Sequence, residues 1–143
     1  MRYKWNDSFS VGYGPIDAQH RRLFSINTDL AEEAGKADGA SEKELHKIIG
    51  DLLSYTRSHF AEEEELMQMA AFPDFARHKE RHDALIAKIR EVEARVRNGE
   101  VQAVAEFLPA MVGAWLAQHI AIEDQMYAGY LKAYVAAQPA PIP

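Results

Sequence analysis

Two pairs of potential metal ligands, each with a spacing of four residues, most constrain how this chain can fold. The first pair is His59 and Glu63, and the second is His78 and His82. In an α-helix a spacing of four brings two side chains to the same face, so each pair can direct two donor atoms at one point. Imidazole and carboxylate donors suit a transition metal, iron or zinc especially. Because Pro73 predicts a turn between the two helices, we expect both pairs to share one site.

Apolar residues recur at spacings of three and four in four long segments, and no segment has the alternating pattern of a β-strand. The predicted helices cover residues 16–37, 41–71, 74–98 and 102–121. Ser41 and Glu44 form a capping box before the second helix, and Pro109 predicts a start or a kink in the fourth. Short connections between amphipathic helices predict an all-α fold, an up-down-up-down four-helix bundle.

The two ends of the chain depart from this pattern. Residues 1–15 contain aromatic residues, two glycines and a proline, and predict an extended N-terminal arm that packs on the core. A shorter amphipathic segment around Tyr127 predicts a short C-terminal helix. Residues 138–143 are rich in proline and are expected to form a disordered tail. The length suits one hydrophobic core, so residues 1–143 are predicted to form a single domain.

Composition excludes several classes of function. The chain has no cysteine, so disulfides, iron–sulfur clusters and thiolate zinc sites are excluded, and a metal must be held by nitrogen and oxygen. The net charge of −6 argues against binding to nucleic acid or to anionic membranes. No apolar run has the length of a membrane span or of a signal-peptide core, so we expect a cytoplasmic protein without membrane insertion.

Five of the six histidines lie within apolar stripes of the predicted helices. They are His20, His59, His78, His82 and His119. Each alone could be a core histidine with a hydrogen-bond partner. Burying five imidazoles without partners would cost on the order of 2 kcal/mol or more apiece, which a shared metal site avoids. His46 lies about 220° around its helix from His59 and is expected to be exposed.

The acidic run at residues 62–65 supplies a further candidate ligand. On a helix Glu63 lies closest to the direction of His59, and Glu62 is the second choice. Glu64 and Glu65 are expected to point to solvent.

Asp124 follows His119 by five residues. Both can reach one centre only if the helix ends or opens into a wide turn between them, and a solvent-exposed helix start is the alternative for Asp124. Five imidazoles and two carboxylates are too many ligands for one metal. They suit two roughly octahedral ions, with about twelve positions, bridged by both carboxylates and one oxygen. This count leaves one position open for a small ligand.

These residues resemble the pattern of the hemerythrin family, and specifically of its single-domain bacterial members, over about residues 5–131. The pattern in this sequence is Trp5, Val11-Gly12, Ile16-Asp17-x-Gln19-His20, His59-Phe60-x-x-Glu63, Leu66-Met67, Phe72-Pro73, His78-x-x-x-His82 and Trp115-Leu116-x-x-His119-Ile120-x-x-x-Asp124. The resemblance implies a protein that is not an enzyme and that binds O2 reversibly at a non-haem centre of two iron ions with an oxo or hydroxo bridge.

The resemblance also implies a role for each site residue. One iron, with all positions filled, is expected on His78, His82 and His119, and the other, with the open position, on His20 and His59. Glu63 and Asp124 are expected to bridge them. The residues that match the apolar wall of the O2 pocket are Phe60, Trp115, Leu116 and Ile120. Trp115 and Leu116 also fit a plain core role.

Several uses of such a site stay open. Oxygen storage, transport or delivery to an oxygen-using partner enzyme is favoured over sensing. A sensor normally needs an attached output domain, and this sequence predicts a single domain. Sensing of O2, redox state or nitric oxide, and iron handling, are alternatives. A metal-dependent phosphohydrolase is a distant one, since His82-Asp83 is an HD dipeptide but Asp83 is predicted to face solvent. A ferritin-like oxidase requires Glu-x-x-His motifs, which this sequence lacks.

Overall fold

Four long α-helices and one shorter helix account for most of residues 3–139, the part of the chain that this computed structural model describes. They are α1 (Gly14–Ala34), α2 (Glu42–Met69), α3 (Phe75–Arg97), α4 (Val101–Gln118) and α5 (Gln125–Ala137). A single wider turn, His119–Asp124, joins α4 to α5. No strand occurs in the described residues. The predicted all-α class is therefore confirmed.

The four long helices form a closed bundle. Each packs against the next one in sequence, and α1 also packs against α4. Antiparallel neighbours joined by short connections give the predicted up-down-up-down arrangement. The interior contains the apolar stripes of all four helices, with Leu30, Ile49, Ile89 and Leu108 fully buried. A second, smaller apolar cluster lies where α5 packs against the end of α2.

Local sequence signals determine where the helices begin and end. Pro15 occupies the first turn of α1, where its missing N–H costs nothing. The hydroxyl of Ser41 accepts a hydrogen bond from the amide of Glu44 at 3.3 Å, as the capping pattern predicts. The helix α4 begins at Val101, well before Pro109, so the predicted alternative of a start at the proline is wrong. No helix in the described part of the chain is both long and apolar enough to cross a membrane.

The N-terminal arm packs its aromatic rings on the bundle, as predicted. The guanidinium of Arg21 lies 4.0 Å from the centre of the Trp5 ring. The ring of Tyr3 lies against Gly113, so closely that a Cβ atom at this glycine would be 2.2 Å from the ring. The arm is not extended throughout, because Asp7–Phe9 form one turn of 3-10 helix. At the other end of the chain, residues 140–143 of the predicted disordered tail lie outside the described residues.

Candidate metal centre

Seven predicted ligand residues come together inside the bundle, and each is 5% exposed or less. Helix α1 contributes His20, α2 contributes His59 and Glu63, α3 contributes His78 and His82, and the wider turn contributes His119 and Asp124. Two groups of donor atoms result, one with three histidines and one with two, and Glu63 belongs to both. Within each group the donor atoms lie within 4.8 Å of one another.

The three-histidine group surrounds one oxygen of each carboxylate. Oε1 of Glu63 lies 3.0 Å from Nε2 of His82 and 3.4 Å from Nε2 of His78. Oδ1 of Asp124 lies 3.0 Å from Nε2 of His78 and 3.1 Å from Nε2 of His119. All three imidazoles therefore present the same nitrogen to one small volume.

The two-histidine group surrounds the other oxygens of the same carboxylates. Oε2 of Glu63 lies 3.2 Å from Nε2 of His20 and 3.2 Å from Nε2 of His59. Oδ2 of Asp124 lies 3.1 Å from Nε2 of His20. Each carboxylate thus directs one oxygen toward each histidine group, which is the arrangement that two bridged cations require.

The wider turn explains how a spacing of five can serve one site. Residues His119–Asp124 form a turn of π-helix, in which side chains five apart lie on the same face. Asp124 is completely buried, so the alternative of a solvent-exposed helix start is wrong.

Several polar atoms of the cluster are buried without a hydrogen bond. They are Oε1 of Glu63, both carboxylate oxygens of Asp124, Nε2 of His78 and Nδ1 of His20. A buried polar atom without a partner costs about 1–3 kcal/mol, so this concentration of them needs an explanation. All but Nδ1 of His20 are among the atoms that face one another across the cluster. A set of imidazole nitrogens and carboxylate oxygens fits iron or another transition metal, and such a cation would satisfy these atoms together.

The electrostatics favour a cation at this place. Burial opposes the charge of both carboxylates, but the surrounding imidazoles hold the pKa of Glu63 well below its usual range. The pKa of Asp124 is also lowered, although burial and the charge of Glu63 both act to raise it. Burial acts to lower the pKa of His20, but hydrogen bonds and charge from Asp124 and Glu63 outweigh it and raise that pKa to about 9. The pKa of His78 is raised to about 9 by the same balance. The two ionised carboxylates therefore attract positive charge, which a metal supplies when protons leave the imidazoles.

Aromatic rings cover part of the cluster. The ring of Phe60 stacks on His82 with 3.7 Å between ring centres, and Trp115 stacks on His119 at 4.3 Å. The two covering rings lie 5.9 Å apart. Leu116 and Ile120, the other two residues predicted for the apolar wall, are buried in the core.

The predictions about neighbouring residues have different outcomes. His46 and Glu65 are exposed, as predicted. Glu64 does not point to solvent as predicted, because its side chain is only 16% exposed and its carboxylate lies 2.8 Å from Nδ1 of His82. The helical wheel of α2 alone could not reveal this contact, since α3 provides the partner. Asp83 has a side chain 60% exposed and pairs with Lys79, so it takes no part in the cluster.

Two further residues near the cluster hold ligand side chains. Gln19 lies next to His20 in sequence, yet its side chain contacts His59 on the neighbouring helix, with 2.6 Å between Oε1 and Nδ1. The phenol of Tyr127 donates to Oε2 of Glu63 at 2.9 Å. No spacing rule within one helix signals the contact between Gln19 and His59, which lie on different helices.

Comparison with known proteins agrees with this geometry. A family model described as "Hemerythrin HHE cation binding domain" matches residues 11–131. A bacteriohemerythrin of Stenotrophomonas maltophilia is 36% identical over 131 residues, which are 92% of this chain and 82% of the relative. A myohemerythrin of Riftia pachyptila is 33% identical over 129 residues, covering 90% of this chain and 93% of the relative.

The fold also matches solved structures. A crystal structure of a wild-type hemerythrin is similar with a TM-score of 0.77 and 29% identity, covering 90% of this chain and 96% of the other. Because the family model spans most of the chain and includes every residue of the buried cluster, this chain belongs to the hemerythrin family.

Proposed function

We propose that this protein binds O2 reversibly at a non-haem di-iron centre and serves in oxygen storage, transport or delivery. The observation that carries the proposal is the division of the carboxylate oxygens. Glu63 and Asp124 each direct one oxygen to the three-histidine group and the other to the two-histidine group. The names of the relatives, bacteriohemerythrin and myohemerythrin, support the same function.

The residues divide into two unequal sets of ligands. His78, His82 and His119 would hold one iron ion, and His20 and His59 the other, with both carboxylates between them. Because the second set has one imidazole fewer, it leaves a position for a small molecule. Two ferrous ions held by these residues would supply the two electrons and the coordination position that reversible O2 binding needs.

The surrounding side chains adapt the site to a small, uncharged ligand. The seven ligand residues are 5% exposed or less, so a large substrate has no access to them. Phe60 and Trp115 cover His82 and His119 of the three-histidine group with aromatic faces, and the ring of Phe60 also lies 5.7 Å from that of His59 in the two-histidine group, so Phe60 would limit the access of water to both halves. We therefore propose a binding role rather than the turnover of an organic substrate. Delivery of O2 to an oxygen-using enzyme is one use that such a carrier would have.

An iron count and an oxygen titration test the proposal. The purified protein is expected to contain two iron ions per chain. After anaerobic reduction, its visible absorption should rise when O2 is admitted and fall again under vacuum, over repeated cycles. One zinc ion per chain and no iron would contradict the di-iron centre. Immediate and irreversible oxidation would contradict reversible binding and favour sensing or oxidase chemistry at the same residues.

A further inference from the structure

The acidic run of α2 does more than provide one bridging carboxylate. Glu62, Glu63 and Glu64 follow one another in sequence, yet each has a different neighbour inside or beside the cluster. Glu63 lies between the two histidine groups. Glu64 contacts Nδ1 of a ligand histidine directly, and Glu62 is linked to another through the side chain of Gln19.

Behind the three-histidine group, the hydrogen bond is direct. Oε2 of Glu64 lies 2.8 Å from Nδ1 of His82. A carboxylate can only accept a hydrogen bond, so Nδ1 of His82 is the donor and its Nε2 is left free to bind a metal. The histidine is fully buried and the glutamate side chain is 16% exposed, so little water weakens this contact.

Behind the two-histidine group, an amide separates the histidine from the carboxylate. The amide nitrogen of Gln19 donates to Oε2 of Glu62 at 2.7 Å. Its carbonyl oxygen therefore faces His59 and accepts from Nδ1 at 2.6 Å. The partner of this imidazole is thus a neutral group, and the nearest carboxylate behind it is exposed.

A carboxylate and an amide affect an imidazole differently. A charge-assisted hydrogen bond from Nδ1–H to a carboxylate is roughly twice as strong as one to a neutral acceptor. It fixes the ring and makes Nε2 a stronger electron donor to a bound metal. Stronger donation favours the more highly charged, ferric ion over the ferrous ion.

We propose that Glu64 and Gln19 are positioning residues that give the two halves of the centre unequal donor strength, the stronger on the His82 side and the weaker on the His59 side. This inference rests on the proposed di-iron centre. It assigns a histidine with a neutral partner to the half that is proposed to bind O2. The ferric state of the iron ion in that half would therefore be less stabilised than the ferric state of the other iron ion.

The test exchanges the two kinds of acceptor in the iron-loaded, full-length protein. The variant E64Q replaces the carboxylate behind His82 by an amide. The double variant Q19E/E62Q moves the carboxylate of α2 to the position behind His59 while keeping the net charge. The control is E65Q, which has the same change of charge as E64Q at an exposed glutamate. The measured quantities are the one-electron reduction potentials of the centre and the iron retained against a chelator.

The expected shifts have opposite signs. E64Q should raise the reduction potential and lower iron affinity by roughly 10- to 100-fold. A tenfold loss of ferric relative to ferrous affinity corresponds to about 59 mV for one electron. Q19E/E62Q should lower the potential, and E65Q should leave it unchanged. A side chain that merely stabilised the fold would not move the potential in opposite directions in the two exchanges.

Other outcomes overturn the inference. Equal shifts in E64Q and E65Q would mean that the carboxylate acts through surface charge. An unchanged or raised potential in Q19E/E62Q would contradict the role of Gln19, and this variant decides the matter if E64Q does not retain iron. Wild-type protein without two iron ions would contradict the proposed function itself. If the wild-type protein binds two iron ions and O2, the potentials of the variants decide the inference alone.

Discussion

The phenol of Tyr127 lies 2.9 Å from Oε2 of Glu63, with the donor and the carboxylate both buried. This contact ties α5, which is outside the four-helix bundle, to the carboxylate shared by the two histidine groups. Nε2 of His20 and Nε2 of His59 also lie near that oxygen, each at 3.2 Å. The C-terminal helix is therefore part of the site and not only a cover for the smaller apolar cluster.

Replacing Tyr127 by phenylalanine should weaken both the fold and the site. A hydrogen bond to a charged group contributes about 1.5–3 kcal/mol, so Y127F should lower the free energy of unfolding by that amount. Urea unfolding of the iron-loaded protein measures it. The control is Y130F, which removes the hydroxyl of a tyrosine on the same helix that is 45% exposed. Equal losses in the two variants would contradict the role of the buried contact.

Removing the carboxylate of Glu63 should release iron. Glu63→Ala takes away oxygens that face both histidine groups and leaves five buried imidazoles with one carboxylate. Breaking a buried ionic contact of this kind costs about 3–5 kcal/mol. Iron analysis and thermal unfolding should both reveal the loss, whereas Glu65→Ala should retain two iron ions per chain. If Glu62→Ala loses iron and Glu63→Ala keeps it, the bridge belongs to Glu62.

A methyl group at Gly113 should displace the N-terminal arm. Its Cβ atom would lie 2.2 Å from the ring of Tyr3, which is far inside van der Waals contact. Overpacking of this kind costs about 1–3 kcal/mol, more than the roughly 1 kcal/mol that alanine gains over glycine in a helix. G113A should therefore lower the melting temperature, and G50A, where the new methyl meets nothing within 4 Å, should raise it. In a Y3A background, where the ring is absent, G113A should cause no further fall in melting temperature relative to Y3A alone.

The free energy of unfolding should depend on pH through Glu33, which lies at the end of α1 and contacts the loop that leads to α2. The ammonium of Lys36, 2.6 Å away, and the amide of Ser41, 2.9 Å away, hold the pKa of this carboxyl below its usual value of 4.5. Because the folded pKa is the lower one, the stabilisation is present above pH 4.5 and is lost as the pH falls through the folded value.

The variant E33Q should accordingly unfold at a lower urea concentration than the wild type at pH 7, and the difference should shrink as the pH is lowered below 4.5. E106Q, at an exposed glutamate of α4, provides the control for the change of charge. A difference that grows on acidification would reverse the predicted sign.

The features that local interactions determine could be predicted from the sequence. The spacing of three and four in the apolar stripes predicted the four long helices, and the capping pattern at Ser41 predicted the start of α2 to within a residue. Helix ends were less well predicted, since α1 stops at Ala34 before Gly35, and the wider turn takes over after Gln118. The spacing of four within each ligand pair needed no knowledge of neighbouring helices.

Tertiary structure decided the remaining features of the site. A spacing of five between His119 and Asp124 fits one centre only because the chain opens into a π turn there. The environment of Glu64 was wrongly predicted, because a helical wheel assigns to solvent any side chain off the apolar stripe, whatever helix lies beside it.

The sequence by itself determined the helices and the residues that could form a metal site, since periodicity and spacing act within one helix, and the short connections indicated the bundle. Which oxygen of Glu63 faces which histidine group, and which residue stands behind each imidazole, was decided only when four helices packed together. The partners of His59 and His82 lie 40 and 18 residues away in sequence, and no local pattern specifies contacts at that separation.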